Sequence, residues 1–246
     1  MKIAILILFA LAVILILPGI LYSKRIDSVN LNCKLNTFNN TVRGDGFSIT
    51  QNILDDNCRQ ELYDRFYERA RTNKNLNEDI EVSLYSDPEF LNQISNLIGE
   101  QVYPVNSLDS QRCWIRYYYS GMKAQYYENY HHDKKRYSKD VKQYRLVIPI
   151  HDTSDSVFTI EDVGDFPFIE NTGVILEAGN CLHKVKFTSG ERLILIMDYT
   201  TASCDSVSGH YSCRGVDGYF WWIIDVIWRF LSSLYYKIAN FNQGKS

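Results

Sequence analysis

The feature that most constrains the fold is a succession of short, strand-like runs in the second half of the chain. These runs are rich in aromatic and β-branched residues, which suit a pleated and half-buried surface. They are Trp114–Tyr119, Tyr144–Ile150, Phe158–Ile160, Gly173–Leu176 and a hairpin between Lys184 and Thr200 that turns at Thr188–Gly190. Because the runs follow helical segments rather than alternate with them, they predict an antiparallel sandwich or barrel with helices packed outside.

A short strand and two helices are predicted ahead of these runs. Gly46–Thr50 has the composition of a strand. The first helix has N-cap residues at Asp55–Asn57 and extends to about Thr72. The second begins at Ser86–Pro88, with proline at an early helical position, and ends near Gly99. Apolar residues recur at helical spacing in both, so each helix should pack one face on the domain.

The amino-terminal segment from Ile3 to Tyr22 has no charged residue. As a helix it would cross a hydrocarbon core of about 30 Å, and no small-residue cleavage pattern follows it. A signal-anchor is therefore favoured over a cleaved signal peptide, although basic residues on both sides leave its orientation undecided. The implied organisation is an anchor at 1–23, a stalk at 24–45, the main domain at 46–203, a cysteine-containing loop at 204–217 and an amphipathic helix at 218–246. Lipid and protein are equally good partners for that last helix.

Cysteine content and a glycosylation sequon at Asn39–Thr41 favour a lumenal or extracellular body, in a compartment like the endoplasmic reticulum or Golgi. The six cysteines are Cys33, Cys58, Cys113, Cys181, Cys204 and Cys213. The expected local disulfide joins Cys204 to Cys213. The alternative is that the cysteines are reduced core residues.

Charge and motif content argue against several function classes. A net charge of −3 and a pI near 6.0 give no overall basic footprint for nucleic acid. The sequence contains neither a Walker-type glycine loop nor a Gly-x-Ser-x-Gly elbow, so phosphate-cradling and serine-hydrolase functions find no support. A basic run at 134–145 could attract an acidic peptide or a nucleic acid, but such a run is more often a solvated loop. Nothing in the sequence indicates an oligomeric state.

A metal site is suggested by His131 and Asp133, which point to the same side of an extended segment while His132 points away. A second histidine would complete the two-histidine, one-carboxylate face associated with non-haem Fe(II) oxygenases. His183 is favoured because strand alternation places it on an apolar face together with Val185. The alternatives are an exposed polar loop for the first motif and an ordinary hydrogen-bonded core histidine for the second.

Arg192 begins the strand after the predicted turn and shares a face with Ile194 and Ile196. Its guanidinium would therefore enter an apolar interior, where a charge is costly without an anionic partner. A ligand carboxylate bound by the planar fork of arginine would supply that partner. The alternatives are a structural ion pair or exposure at the strand start.

Together these features resemble the Fe(II)- and 2-oxoglutarate-dependent dioxygenase superfamily, particularly its prolyl 4-hydroxylase-like branch. The resemblance is carried by His131-x-Asp133, His183-x-Val185, a short turn containing Gly190, and Arg192, with weaker similarity over residues 46–200. The run Arg192–Asp198 is also similar to aspartyl/asparaginyl β-hydroxylases, although that branch lacks a carboxylate ligand where this chain has Asp133.

The resemblance implies a mainly β domain with supporting helices, folded as a double-stranded β-helix, or jelly roll, with iron near its mouth. It implies His131, Asp133 and His183 as the metal ligands and Arg192 as the 2-oxoglutarate anchor, with Tyr118 and Arg145 as further co-substrate contacts. The expected reaction is hydroxylation of a protein side chain, with proline the leading candidate, succinate and CO2 as co-products and ascorbate as an optional reductant. The alternatives are a membrane-anchored, non-catalytic binding or assembly protein on a degenerate oxygenase fold, and a zinc enzyme.

Overall fold

The computed structural model describes residues 27–29, 31, 36, 39–74, 77–105, 113–122, 128–133, 141–186 and 188–201. The helices are α1 (Asp56–Thr72), α2 (Pro88–Ile98) and a 3-10 helix at Ser83–Ser86. The strands are β1 (Asp27–Val29), β2 (Asn39–Gly44), β3 (Phe47–Gln51), β4 (Asn77–Val82), β5 (Tyr103–Pro104), β6 (Cys113–Tyr119), β7 (His131–His132), β8 (Gln143–Asp152), β9 (Val157–Ile160), β10 (Gly164–Pro167), β11 (Thr172–Glu177), β12 (Leu182–Lys186) and β13 (Glu191–Thr200).

The helix ends follow from local capping chemistry. The Asp55 side chain accepts a hydrogen bond from the backbone N–H of Cys58 at 2.7 Å, which satisfies one of the donors exposed at the start of α1. Asp87 caps α2 in the same way, and Gly99 ends that helix in the left-handed conformation at φ 82°. Along α1, Phe66 is fully buried, and its replacement by alanine would cost about 3–5 kcal/mol.

Two sheets form a double-layered β domain. The larger has the order β1-β4-β6-β13-β8-β11-β3-β2, with β5 also paired to β13, and the smaller has the order β10-β9-β12-β7. From β6 to β13 the chain crosses repeatedly between the two sheets, apart from the hairpin of β9 and β10, in the manner of a jelly roll. The predicted mainly β fold with supporting helices is confirmed, and the strand order agrees with the expected double-stranded β-helix.

The large sheet separates two apolar cores. Alternate residues of β13 face either side: Leu193 and Leu195 join the core shared with the helices, while Ile194 and Ile196 join the core between the sheets. The second core also contains aromatic side chains from both sheets, including Phe158 of β9. Polar side chains in this intersheet core are therefore held by rigid strands and largely shielded from water.

The structure corrects the boundary of the predicted stalk. β1 and β2 lie inside 24–45, and β2 pairs antiparallel with β3, so the large sheet starts before residue 46. The strand β4 was also missed, and it pairs with β6 and with β1. These added strands extend both ends of the large sheet with polar segments such as Asn39–Gly44, whose composition resembles a loop.

Several sequence predictions fall outside the described residues. These are the anchor at 1–23, the loop at 204–217 with its Cys204 to Cys213 disulfide, and the helix at 218–246. Within the described ranges, no helix is both long and apolar enough to cross a membrane. Among the described cysteines, Cys58 is disulfide-bonded, whereas Cys113 and Cys181 are buried thiols.

Candidate metal centre

Two neighbouring strands bring His131 and His183 together. β7 pairs with β12 so that these two histidines are direct partners across the ladder, and their ring centroids lie 4.5 Å apart. Asp133 follows β7 and joins the same cluster, while His132 is exposed. The structure thus brings together the three residues that the sequence selected as metal ligands.

The cluster has dimensions suited to a bound cation. One ligand atom from each of His131, Asp133 and His183 lies within 4.8 Å of the other two. The closest approach of His183 to the carboxylate is 4.0 Å, from Nε2 to Asp133 Oδ2, and these two side chains are only 6% and 11% exposed. Two imidazoles and a carboxylate at this spacing can bind a single metal ion from one side.

The backbone binds one ring nitrogen of each histidine. His131 Nδ1 lies 2.9 Å from the carbonyl oxygen of Asn129, and His183 Nδ1 lies 3.1 Å from that of Cys181. Because a carbonyl oxygen can only accept, each Nδ1 carries the proton and each Nε2 presents a lone pair. Burial lowers the pKa of His183, although the charge of Asp133 opposes this shift in part. The lowered pKa favours the neutral imidazole that metal binding requires.

The two oxygens of Asp133 differ in their surroundings. Oδ1 accepts a hydrogen bond from Arg145 Nη1 at 2.5 Å, whereas Oδ2 is buried and has no hydrogen-bond partner among the described residues. A buried carboxylate oxygen without a partner is costly, and a cation in front of it would remove that cost. The donor set therefore fits a divalent metal such as Fe(II), with positions left for other ligands, although zinc also accepts these donors.

Arg145 lies beside the cluster and contacts two carboxylates. Besides Asp133, it donates to Asp198 from Nε at 2.8 Å and from Nη2 at 3.0 Å. Its guanidinium also lies 4.9 Å over the ring of Trp114. The role of Arg145 as a co-substrate contact stays a prediction.

Arg192 enters the intersheet core, as strand alternation predicted. The residue is 2% exposed, and its guanidinium lies 4.8 Å from the centroid of Tyr118 and 5.6 Å from that of Phe168. Its Nη1 donates to Ser156 Oγ at 3.0 Å. Tyr118, the other proposed co-substrate contact, therefore packs directly on the proposed anchor. A fixed guanidinium between aromatic faces is well suited to receive a carboxylate.

Aromatic packing connects this arginine to the histidine cluster. The ring of His183 stacks on Phe158 with centroids 5.4 Å apart, and Phe158 packs on Phe168 at 5.5 Å. Phe168 in turn faces the guanidinium of Arg192. His183 and Arg192 consequently belong to one continuous, buried aromatic interior.

The remaining described histidine lies elsewhere. His151 packs on the rings of Tyr63 and Tyr67 from α1, and its Nδ1 is 3.5 Å from Glu170 Oε2. It does not join the cluster of His131, Asp133 and His183. The fifth histidine of the sequence, His210, lies outside the described residues.

Sequence reasoning missed Asp198 and Ser156. Asp198 lies on the same face of β13 as Arg192, so strand alternation could have identified it as a second polar group in the core. Ser156 precedes β9 in a polar loop, and no local pattern marks it as a partner of an arginine thirty-six residues away.

Comparison with known proteins gives distant structural likenesses. No protein-family model matches the sequence, and no curated protein matches it. A prolyl-4-hydroxylase from Pseudomonas putida is similar at 15% identity and a TM-score of 0.44, over 63% of this chain and 91% of that one. A prolyl 4-hydroxylase from Phytophthora capsici shows 10% identity and a TM-score of 0.44, over 81% and 83%. A prolyl hydroxylase from Trichoplax adhaerens, solved with a hypoxia inducible factor peptide fragment, shows 12% identity and 0.41, over 63% and 83%. Scores this low support no functional conclusion.

Proposed function

We propose that this chain is an Fe(II)- and 2-oxoglutarate-dependent dioxygenase that hydroxylates a C–H bond of a protein side chain. The observation that carries the proposal is the cluster of His131, Asp133 and His183 between the two sheets, in which one ligand atom from each residue, including a carboxylate oxygen, lies within 4.8 Å of the other two. The buried Arg192 in the same core supplies the reason for an anionic co-substrate.

The protein's own groups divide the work of binding. His131, Asp133 and His183 would hold the metal from one side, which would leave positions for co-substrate and dioxygen. Bound Fe(II) would supply oxygen activation coupled to decarboxylation of 2-oxoglutarate, which converts substrate C–H to C–OH and yields succinate and CO2. Arg192 binds the far carboxylate of the co-substrate, and Tyr118 and Phe168 fix the plane of its guanidinium.

Seclusion from water is the second task of the chain. The aromatic side chains between His183 and Arg192 leave little room for solvent, which strengthens the charge interactions of the bound co-substrate. Both His183 and Arg192 lie on strands rather than loops, so their spacing is fixed before the co-substrate arrives.

The proposal also covers the substrate and the cellular location of the protein. A lumenal body with an amino-terminal anchor would meet secreted or membrane proteins, and this favours a protein side chain, with proline as the leading candidate. Ascorbate would serve as an optional reductant in such a compartment. This part rests on the sequence patterns at 1–23 and at Asn39–Thr41.

The test begins with metal-free full-length protein under anaerobic conditions. Fe(II) plus 2-oxoglutarate should give a weak visible charge-transfer band that His183→Ala abolishes. His132→Ala is the matched control, because this neighbouring histidine is exposed and outside the cluster, and it should retain the band. Wild-type protein without a band would refute the proposal.

Turnover separates the proposal from its two rivals. Succinate formation that depends on a proline-containing peptide supports the hydroxylase. A band without succinate for any peptide would favour the non-catalytic binding protein. Retention of zinc in preference to iron, measured by metal analysis of the isolated protein, would favour the zinc enzyme.

A further inference from the structure

A triplet of charged side chains, Asp133, Arg145 and Asp198, lies directly behind the metal-ligand cluster, and each is at most 15% exposed. Arg145 donates to one oxygen of Asp133 and, through two other nitrogens, to both oxygens of Asp198. Asp198 is 1% exposed and also accepts a hydrogen bond from Gln143 Nε2 at 3.0 Å. One guanidinium thus joins two carboxylates, of which Asp133 alone belongs to the cluster.

The balance of these charges bears on cation binding. If Arg145 paired with Asp133 alone, the pair would be neutral and would attract a divalent cation weakly. Asp198 contacts the same guanidinium in the two-pronged geometry that makes arginine–carboxylate pairs strong. It thereby offsets the positive charge and leaves the triplet with one net negative charge, which acts strongly in a poorly screened interior.

The triplet also determines which oxygen of Asp133 faces the cluster. Arg145 holds Oδ1, and Oδ2 lies 4.0 Å from His183 Nε2. Arg145 is itself fixed by Asp198 and by the Trp114 ring beneath it. Asp133 is consequently oriented to bind a metal through one oxygen, and the position that a second oxygen would occupy stays open.

We propose that Asp198, acting through Arg145, is a positioning residue for the metal centre. Without touching the metal, it preserves the negative charge of Asp133 and orients that carboxylate for ligation through one oxygen. The inference rests on the metal site of the proposed function and does not depend on the identity of the substrate.

The test measures Co(II) affinity of metal-free, full-length protein by calorimetry. Asp198→Asn keeps the shape of the side chain but removes its charge, and it should weaken Co(II) binding about 10- to 100-fold, the range typical of residues that support metal ligands. Asp165→Asn is the matched control, because it makes the same change at an exposed position on β10 of the small sheet. The control should bind Co(II) like wild type.

A double variant separates charge from structural damage. Arg145→Met with Asp198→Asn removes both balancing charges, so Asp133 again contributes one uncompensated negative charge. This variant should regain most of the affinity lost in Asp198→Asn, whereas damage to the fold would not be repaired. Its Co(II) absorption spectrum should still differ from wild type, because Arg145 no longer holds Oδ1 of Asp133.

The outcomes that contradict the inference are specific. Wild-type affinity in Asp198→Asn, or a double variant as weak as the single one, would overturn it. If Asp198→Asn does not fold, Arg145→Lys keeps every charge but loses the fork, and an unchanged Co(II) spectrum would overturn the inference. If wild-type protein binds Co(II) but forms no succinate, the proposed reaction is refuted and this inference still holds. If wild-type protein does not bind Co(II), both are refuted.

Discussion

Arg192 Nη1 donates a hydrogen bond of 3.0 Å to Ser156 Oγ, which ties the start of β13 to the residue before β9. Ser156 contacts the hydroxyl of Ser154, and Ser154 donates to Asp152 Oδ1 from both its backbone nitrogen and its hydroxyl. Burial raises the pKa of Asp152. The buried guanidinium is therefore connected through two serines to a partly buried carboxyl, and the loop at 153–156 controls its orientation.

Ser156→Ala should weaken 2-oxoglutarate binding. The change leaves one donor of Arg192 without its acceptor and allows the guanidinium to reorient, at a cost of about 1 kcal/mol or roughly fivefold in affinity. Calorimetry on anaerobic, Co(II)-loaded protein would measure this. Ser189→Ala, an equal change in the exposed neighbouring turn, should have no effect. Equal affinities for wild type and Ser156→Ala would show that the serine does not position the arginine.

Arg192→Lys should raise the concentration of 2-oxoglutarate needed for half-maximal succinate formation by at least about tenfold. Lysine keeps the charge but lacks the planar fork that binds both oxygens of a carboxylate. The control is Arg69→Lys on α1, where the guanidinium also lies over an aromatic ring, 5.1 Å from the centroid of Phe66. An unchanged requirement in Arg192→Lys would reject the anchor role.

Asp155 links the same loop to the turn before β13. Its carboxylate accepts hydrogen bonds from the backbone nitrogens of Thr188 and Ser189 at 2.7 and 3.0 Å and from the Thr188 hydroxyl, which together lower its pKa. A folded pKa below the unfolded value of about 3.9 means that the stabilisation is present above that value and is lost as the pH falls toward the folded pKa.

Asp155→Asn should therefore lower the Tm at pH 7, and the difference from wild type should shrink as the pH falls below about 4. Thermal unfolding followed across that range would measure it. Asp64→Asn on α1 is a control, because that exposed carboxylate bonds to the side chain of Gln60 rather than to another loop. A difference in Tm that does not depend on pH would contradict a charge-dependent link between the two loops.

Residues with a strong side-chain period were predictable from sequence. Alternation alone indicated that His183 and Arg192 face an apolar interior, and both are buried. The two-residue spacing of His131 and Asp133 likewise indicated a shared side. In each case the side-chain pattern spans only a few consecutive residues, so it can be recognised without knowledge of the tertiary fold.

Contacts that depend on strand register were not predictable in the same way. The pair of Arg145 with Asp198 exists because β8 and β13 place these residues opposite each other, and that register follows a shift at Leu193 and Ile194. The edge strand β2 escaped prediction because edge strands commonly carry polar residues that resemble loops. Both the Arg145–Asp198 pair and the strand β2 depend on pairing between distant segments rather than on local conformational preference.

Gly190 offers a test of the packing that holds the Arg192 strand to the Ser156 loop. It has a φ of 82°, and a Cβ added there would lie 2.4 Å from the carbonyl oxygen of Thr153. Gly121 has nearly the same φ, 85°, but an added Cβ would meet nothing within 4 Å among the described residues. Alanine at either position is destabilised by about 1–2 kcal/mol because the backbone there is left-handed. Only at Gly190 would the added Cβ also collide with the backbone of Thr153.

Gly190→Ala should therefore lower the free energy of unfolding by more than Gly121→Ala, as measured by urea denaturation. It should also weaken 2-oxoglutarate binding, because moving Thr153 displaces the loop that orients Arg192 through Ser156. Gly121→Ala should retain wild-type affinity for the co-substrate. If the two variants lose equal stability and both bind 2-oxoglutarate normally, the close approach of Gly190 to Thr153 does not support the anchor, and the loop must be held by its hydrogen bonds to Thr188 and Glu191 instead.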